Sequence, residues 1–399
     1  MNENLERFLR YVKIDTQSND QSQSVPSAEK ELNLTKLLQK ELKEMGISSY
    51  IDEFGVLYGK VDGEVDMDPV GLNAHVDTAL ELTGKDVKPQ IIKNYDGGEI
   101  KLNDKYSMSS EDFLTLKEHI GDDLVVTSGD TLLGADDKAG VAIIMSALSY
   151  FAKHKEVKHR PICFSFSVDE EIGRGADYFD AKKLGAKYAY TIDGGKYDEI
   201  AIETFNAAHA NVTIQGFAIH PGEAKGKLIN ASTLAFEFDR LLPALKRPEY
   251  TENREGFNHL ISINGTVEEA NMHYIIRNHD KLKLEEQKEE FIKAADLIKE
   301  KYPNAKIKVD IKDDYRNMKE ILDKHPEAIE TAKKAFEKLN ITPHFPPIRG
   351  GTDGATFSFK GCPTPNLGTG SYNHHGRYEY LSIKEFNLMI EIVKEIMKK

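Results

Sequence analysis

Three short apolar runs each end in side chains that can ionise or bind metal. Val70 to Ala74 leads into His75-Val76-Asp77, Ile162 to Val168 into Asp169-Glu170-Glu171, and Tyr188 to Ile192 into Asp193. A fourth acidic pair, Asp136-Asp137, stands just before an apolar helical stretch that opens at Lys138, where a carboxylate can cap free backbone N–H groups. Late in the chain, Gly368-Thr369-Gly370 leads through a turn to His374-His375-Gly376. Gathering so many carboxylates at one edge of a sheet is costly unless a cation or hydrogen bonds compensate them. A metal centre is the simplest compensation. Histidine and carboxylate ligands without cysteine fit zinc in a hydrolytic site, with cobalt or manganese as substitutes. Glu170 and Glu171 are neighbours, so at the end of a strand their side chains diverge, leaving one for a metal and the other for a substrate. That division supplies a ligand and a general base.

The elements that must position these residues are also visible. The three runs are nearly continuous rather than alternating, the pattern of strands covered by helices on both faces. Between the first two lies the helical stretch from Lys138 to Ala152. The alternation predicts an α/β domain with a mostly parallel sheet between helices, and in such open sheets ligands bind at the carboxyl ends of the strands. After about Thr204 the strands alternate between apolar and polar residues, most clearly at Lys306 to Ile311. The order there is a strand at Val212 to Phe217, a helix near Leu228 to Leu242, strands at Leu260 to Gly265 and Met272 to Arg277, a helix from Lys281 to Lys301, and the Lys306 strand. That β-α-β-β-α-β order predicts a ferredoxin-like lid domain, a four-stranded antiparallel sheet with two helices on one face. Residues 206–316 are therefore expected to be an insertion, and residues 1–205 and 317–399 a discontinuous catalytic domain. The charged stretch from Asp96 to Asp123 reads as an excursion from the larger domain.

Composition narrows the function classes. The 399 residues carry 53 basic and 66 acidic side chains, a net charge of −13, so nothing in the balance attracts a phosphate backbone, and nucleic acid is not an expected partner. Two cysteines, Cys163 and Cys362, provide neither a disulfide framework nor a cysteine-ligated zinc. No apolar run approaches the roughly 18 residues of a membrane span. Met1 to Lys13 mixes Glu3 and Glu6 with Arg7 and Arg10 and lacks the apolar core of a signal peptide, so the expectation is a cytoplasmic protein without a membrane partner.

Taken together, His75-Val76-Asp77-Thr78, Gly134-Ala135-Asp136-Asp137-Lys138-Ala139-Gly140, Asp169-Glu170-Glu171-Ile172-Gly173 and Asp193-Gly194-Gly195 resemble, in order, the motifs of the co-catalytic zinc exopeptidase and aminoacylase family. Gly350-Gly351-Thr352-Asp353-Gly354 and His375-Gly376-Arg377-Tyr378-Glu379 narrow the resemblance to its tripeptide aminopeptidases. The resemblance implies two zinc ions per chain, with Asp136 bridging, His75 and Asp193 completing one metal, and Glu171 and His375 the other. It implies a cis peptide bond at Asp136-Asp137. Glu170 and Asp77 are the implied catalytic pair, Glu170 as general base for a water activated at the metals and Asp77 orienting the His75 imidazole. His375 is preferred to His374 because Glu379, four residues on, keeps the family spacing. For small peptide substrates, His220, Arg277, Asn230 and Arg349 are the implied contacts. Other amide hydrolases of the same scaffold (dipeptidase, carboxypeptidase, N-acyl amino acid deacylase) and a non-catalytic peptide-binding protein are the alternatives. Outside this set, His154 and His159 are expected to be solvated, and His209 and His273 to be packing or surface residues of the inserted domain.

Overall fold

Strand Val70–His75 is buried at every residue, as are its two parallel neighbours, Ile162–Ser167 and Tyr188–Ile192. Apolar side chains on both faces oblige such strands to sit between helices. The computed structural model describes residues 2–398, and in it these three strands form the centre of a mixed sheet. Its order is Ser48–Ile51, Leu57–Val61, Ile162–Ser167, Val70–His75, Tyr188–Ile192, Asn366–Leu367 and Ile200–Ala201. The interior pairs are parallel, and the pairs toward both edges antiparallel. Helix Ala135–Lys153 packs on Val70–His75 and against helices Glu3–Tyr11 and Ile383–Met397. Gly140 is required there, because a Cβ would lie 1.8 Å from the Ile192 carbonyl oxygen. Register does the rest. His75 pairs with Ser167 and Asn73 with Thr191, so His75, Asp169 to Glu171 and Asp193 all emerge at the same edge.

The excursion belongs to this unit. Strands Gln90–Ile92, Leu124–Val126, Tyr380–Ser382 and Ser371–Tyr372 make a second, antiparallel sheet, and Ile100–Lys101 pairs with Ser107–Met108 in a hairpin. Tyr95, Ile100, Leu102, Met108, Leu116 and Tyr380 form its own small core.

Contacts divide the chain into two units: the one just described, up to Ile202 and including Met318–Pro346 and the residues from Thr352 onward, and a second of Glu203–Asn317 with Pro347–Gly351. The second has strands Asn206–Gln215, Phe257–Gly265, Glu269–Asn278 and Lys306–Tyr315, all antiparallel. In space the order is Phe257–Gly265, Glu269–Asn278, Asn206–Gln215, Lys306–Tyr315. Helices Ala231–Leu241 and Lys281–Lys301 cover one face through Phe238, Phe291, Val212 and Ile276. With strands and helices in β-α-β-β-α-β order, this is the ferredoxin-like arrangement.

Two expectations need correction. Residues 347–351 pack with the second unit instead of the larger domain, because Ile348 N–H donates to the Glu203 carbonyl at 2.9 Å and Phe205 N–H to the Gly350 carbonyl at 3.2 Å. His159 is buried rather than solvated: its ring lies 4.6 Å from that of Phe151, and Nδ1 is 2.7 Å from the Arg160 carbonyl. His209 and His273 lie partly exposed on their strands, near Asp314 and Asn211 respectively. No helix among the described residues is long and apolar enough to cross a membrane.

Candidate metal centre

The site is built at the carboxyl edge of the larger unit by three local devices. The first is Asp77. It is fully buried, and its carboxylate oxygens accept the Glu170 and Glu171 N–H groups at 3.1 and 3.0 Å. Those two residues lie in a 3-10 turn, Glu170–Ile172, not in extended backbone. Their side chains therefore diverge by roughly a third of a turn instead of alternating across a strand. The turn is possible because Asp169 takes a left-handed φ of 61°, held by Ser27 N–H donating to both carboxylate oxygens at 2.9 Å and by Asp169 N–H donating to Glu31 at 3.1 Å. Burial, reinforced by Asp77 and Asp169, pushes the Glu31 carboxyl up to about 9.

The second device is the helix entry. The Asp136–Asp137 peptide is cis, as the resemblance implies. Glu379 accepts three backbone N–H groups, from Leu133, Gly134 and Asp136, at 2.8, 2.7 and 2.9 Å. Asp137 accepts the His75 N–H at 3.2 Å and the Gly140 N–H at 3.1 Å. Both its oxygens are thus engaged in joining the helix to the strand, which leaves Asp136 to face the imidazoles. The third device is the loop after Ser371–Tyr372, which carries His375.

These devices bring six sequence-predicted residues together. His75 Nε2 lies 3.0 Å from Asp136 Oδ1, 3.8 Å from Asp193 Oδ1 and 4.0 Å from Glu170 Oε2. His375 Nε2 lies 3.1 Å from Glu171 Oε2 and 3.5 Å from Asp136 Oδ2. Behind them, His75 Nδ1 is 3.3 Å from Asp77 Oδ1 and 3.2 Å from the Asp77 carbonyl. Asp77 is sealed behind His75 and the glutamate turn, where it can orient the His75 imidazole as the resemblance implies. His374 Nε2 turns to Ser371 Oγ at 2.9 Å, and its Nδ1 comes only to 3.9 Å from Asp136.

Electrostatics follow from this crowding. Burial opposes ionisation of Asp136, yet His375 and His75 hold it well below the usual carboxylate range. Asp193 is pushed up by burial and by Asp136, and Glu170 by burial against the opposing pull of His75. Burial and Asp136 raise Glu171 to about 7. His375 is raised by its contacts with Asp136 and Glu171.

Glu31 and Glu81 escape the motif reading as parts of the site, whereas Glu379 is marked by its spacing from His375 and Asp137 by its place at the helix start. Glu81 Oε1 lies 3.3 Å from His375 Nδ1 but is an exposed acid without any pattern around it. Asp353, in one of the quoted motifs, accepts a hydrogen bond from Ser167 Oγ at 2.6 Å, one residue past the Phe166 level of the central strand.

The four residues implied as substrate contacts all lie in the second unit. His220 Nδ1 accepts the Gly222 N–H at 3.1 Å, and Asn230 caps helix Ala231–Leu241 by accepting the Thr233 N–H at 3.2 Å. Arg277 Nη1 donates to the Ala208 and Ile276 carbonyls at 2.9 and 3.0 Å and pairs with Asp314 at 3.4 Å. Arg349 is more committed: it donates to the Asn253 and Glu255 carbonyls and to Thr251 Oγ1, each at 2.9 Å, and lies over the Phe205 and Phe257 rings. In the structure it holds a turn.

A family model described as Peptidase family M20/M25/M40 matches residues 132–399. The chain belongs to this family. It is 47% identical to Peptidase T of Clostridium acetobutylicum, over 100% of this chain and 99% of that protein. Among solved structures, aminopeptidase PepT of Bacillus cereus matches with a TM-score of 0.78 at 24% identity, and a tripeptidase of Staphylococcus aureus with 0.78 at 21%. Each match covers 99% of this chain and 97% of the other, and at these identities the likeness establishes the fold. The protein is accordingly a hydrolase that acts as a peptidase.

The donor set fits divalent metal. His75, Asp136 and Glu171 offer atoms within 4.8 Å of one another, and Asp193 Oδ1 adds a donor 3.8 Å from His75 Nε2. Glu171 Oε1 is buried with no hydrogen-bond partner, a carboxylate oxygen whose desolvation is left uncompensated by the protein. All donors are imidazole nitrogen or carboxylate oxygen, the chemistry of hydrolytic zinc, cobalt or manganese sites.

Proposed function

We propose that the protein is a cytoplasmic tripeptide aminopeptidase that uses two divalent metal ions, zinc or its substitutes cobalt and manganese, to release the N-terminal residue. One observation carries the reading: Asp136 directs one carboxylate oxygen to His75 and the other toward His375, so a single side chain addresses two clusters of donors. His75 and Asp193 would hold one ion, Glu171 and His375 the other, and Asp136 both. When bound, such ions supply Lewis acidity for the scissile carbonyl and bring the pKa of water toward 7.

The chain's own groups do the proton work. Glu170 removes the proton from the attacking water and returns it to the leaving amine. Burial pushes its carboxyl above the usual carboxylate range, the direction that makes it a stronger base toward the water's proton. Asp77 keeps it in place by holding its N–H, and holds the neighbouring ligand Glu171 the same way. Of the second unit's candidates, Arg277 is assigned the peptide's free C-terminal carboxylate, for which a planar fork of N–H donors is well suited. His220 is assigned the developing oxyanion. Asn230 and Arg349 are assigned as lesser contacts of the peptide.

The deciding experiment compares di-, tri- and tetrapeptides, free and N-acetylated, and identifies the released residue. Free tripeptides should be cleaved after their first residue. Acetylation should lower kcat/KM by roughly 10- to 150-fold or more, the equivalent of losing charge-assisted hydrogen bonds worth about 1.5–3 kcal/mol. Equal cleavage of N-blocked peptides, or release of the C-terminal residue, would place the enzyme among the deacylases or carboxypeptidases of this scaffold instead.

A further inference from the structure

Two residues beyond His375, Arg377 reaches into the excursion, a part of the larger unit that the chemistry above does not use. Its guanidinium carbon stands 3.9 Å from the centre of the Tyr106 ring, and Nη1 donates to the Gly129 carbonyl at 2.8 Å. This socket is braced independently of Arg377. Tyr106 closes the turn of the Ile100–Lys101 and Ser107–Met108 hairpin, where Leu102 N–H donates to its carbonyl at 3.0 Å and its own N–H donates to Asn103 Oδ1 at 3.0 Å. Asn103 Nδ2 donates to the Ser128 carbonyl at 2.9 Å, and Gln90 Nε2 bridges the Leu102 and Thr127 carbonyls at 2.9 and 3.1 Å. Ring and carbonyl are thereby fixed relative to each other. The neighbouring Tyr378 packs its ring 5.0 Å from that of Phe113, in the same excursion.

The loop on the other side of Arg377 needs such a hold. His375 and Asn373 have left-handed φ values of 63° and 55°, a region that residues with a Cβ enter reluctantly. The His375 side chain is 44% exposed, so burial does not fix its ring as it fixes that of His75, at 2%. Its Nδ1 contact is with Glu81, whose own side chain is 60% exposed. A histidine placed this openly gains its orientation from the backbone that carries it, and Arg377 is the nearest side chain anchored outside the loop.

We infer that Arg377, stacked on Tyr106 and bonded to the Gly129 carbonyl, is the positioning residue for His375, and that the Asp96–Asp123 excursion, with the adjoining Gly129, is the fixture against which this metal ligand is set. The inference rests on the metal reading of His375. Arginine suits the task because a planar cation can lie flat on an aromatic face while an N–H at its edge donates in plane; an ammonium group does not combine the two.

The test uses the full chain, stripped of metal and titrated with Co2+, following stoichiometry by equilibrium dialysis and the visible absorption of each bound ion. Wild type should bind two equivalents. Arg377→Ala and Arg377→Lys should weaken one of the two by about 10–100-fold, the usual scale for loss of an outer partner of a ligand, with an altered spectrum for that ion only. Tyr106→Ala should do the same, Tyr106→Phe should restore wild-type cobalt affinity, and combining Tyr106→Ala with Arg377→Ala should cost no more than either alone. Wild-type affinity for both ions in Arg377→Ala and Tyr106→Ala, with any loss confined to KM, would overturn the inference and make Arg377 a substrate contact. If Arg377→Ala does not fold, the two Tyr106 variants, which keep the arginine, decide the matter. Failure of wild type itself to bind two cobalt ions would remove the metal reading beneath, a result distinct from two ions bound normally in every variant.

Discussion

Glu170→Gln is expected to keep both metal ions and lose about 10²–10⁴-fold in kcat. The amide preserves the shape of the side chain and leaves the backbone N–H donating to Asp77, so the turn that also carries Glu171 should stay in place. What it removes is the capacity to hold a proton between water and leaving amine. Because substrate binding does not require that capacity, KM should change little and the loss should fall on turnover. Glu171→Gln should behave differently, losing metal affinity, since its carboxylate is the one facing His375 at 3.1 Å. The two adjacent variants, compared by metal analysis and steady-state kinetics, separate the roles. A Glu170→Gln enzyme within a few-fold of wild type would refute the assignment of the base, and equal metal content in both variants would show the pair to be wrongly divided.

Asp136→Ala should be the most damaging single change to metal content. Each outer partner of a ligand is worth about 10–100-fold in affinity, and Asp136 is read as a direct ligand to both ions, so both dissociation constants should rise by more than that. Its backbone N–H remains bonded to Glu379, and the braces through Asp137 are untouched, so the helix entry should survive the substitution. His75→Ala, in contrast, should weaken one ion more than the other. Dialysis against buffered Zn2+ checks both variants, and one undisturbed high-affinity site in Asp136→Ala would exclude the bridging role.

Much of this architecture was legible in the chain because the signals were local. Continuous apolar runs announced the central strands, and their acidic ends fell at one edge once register was known. The helix expected from about Lys281 to Lys301 is present as Lys281–Lys301. What could not be read depended on distant partners. The 3-10 turn at Glu170 follows from Asp169, whose left-handed backbone is secured by Ser27, 142 residues earlier, and by Glu31, 138 residues earlier. The Asp136-Asp137 pair promises a carboxylate that caps backbone N–H groups, and the hydrogen bonds from His75 and Gly140 show that Asp137 is the one that does so. Residues 347–351, Pro-Ile-Arg-Gly-Gly, are too short to show a period, so nothing local could say that they pack beside Glu203 and Phe205.

The central claim is that turnover depends on two metal ions gathered by His75, Asp136, Glu171, Asp193 and His375. The most direct measurement strips the protein with a chelator and adds Zn2+ in steps, recording release of the N-terminal residue from a free tripeptide against bound zinc. The account predicts no turnover without metal and recovery that levels off at two equivalents per chain. Full turnover in metal-free protein, or recovery complete at one equivalent, would contradict it.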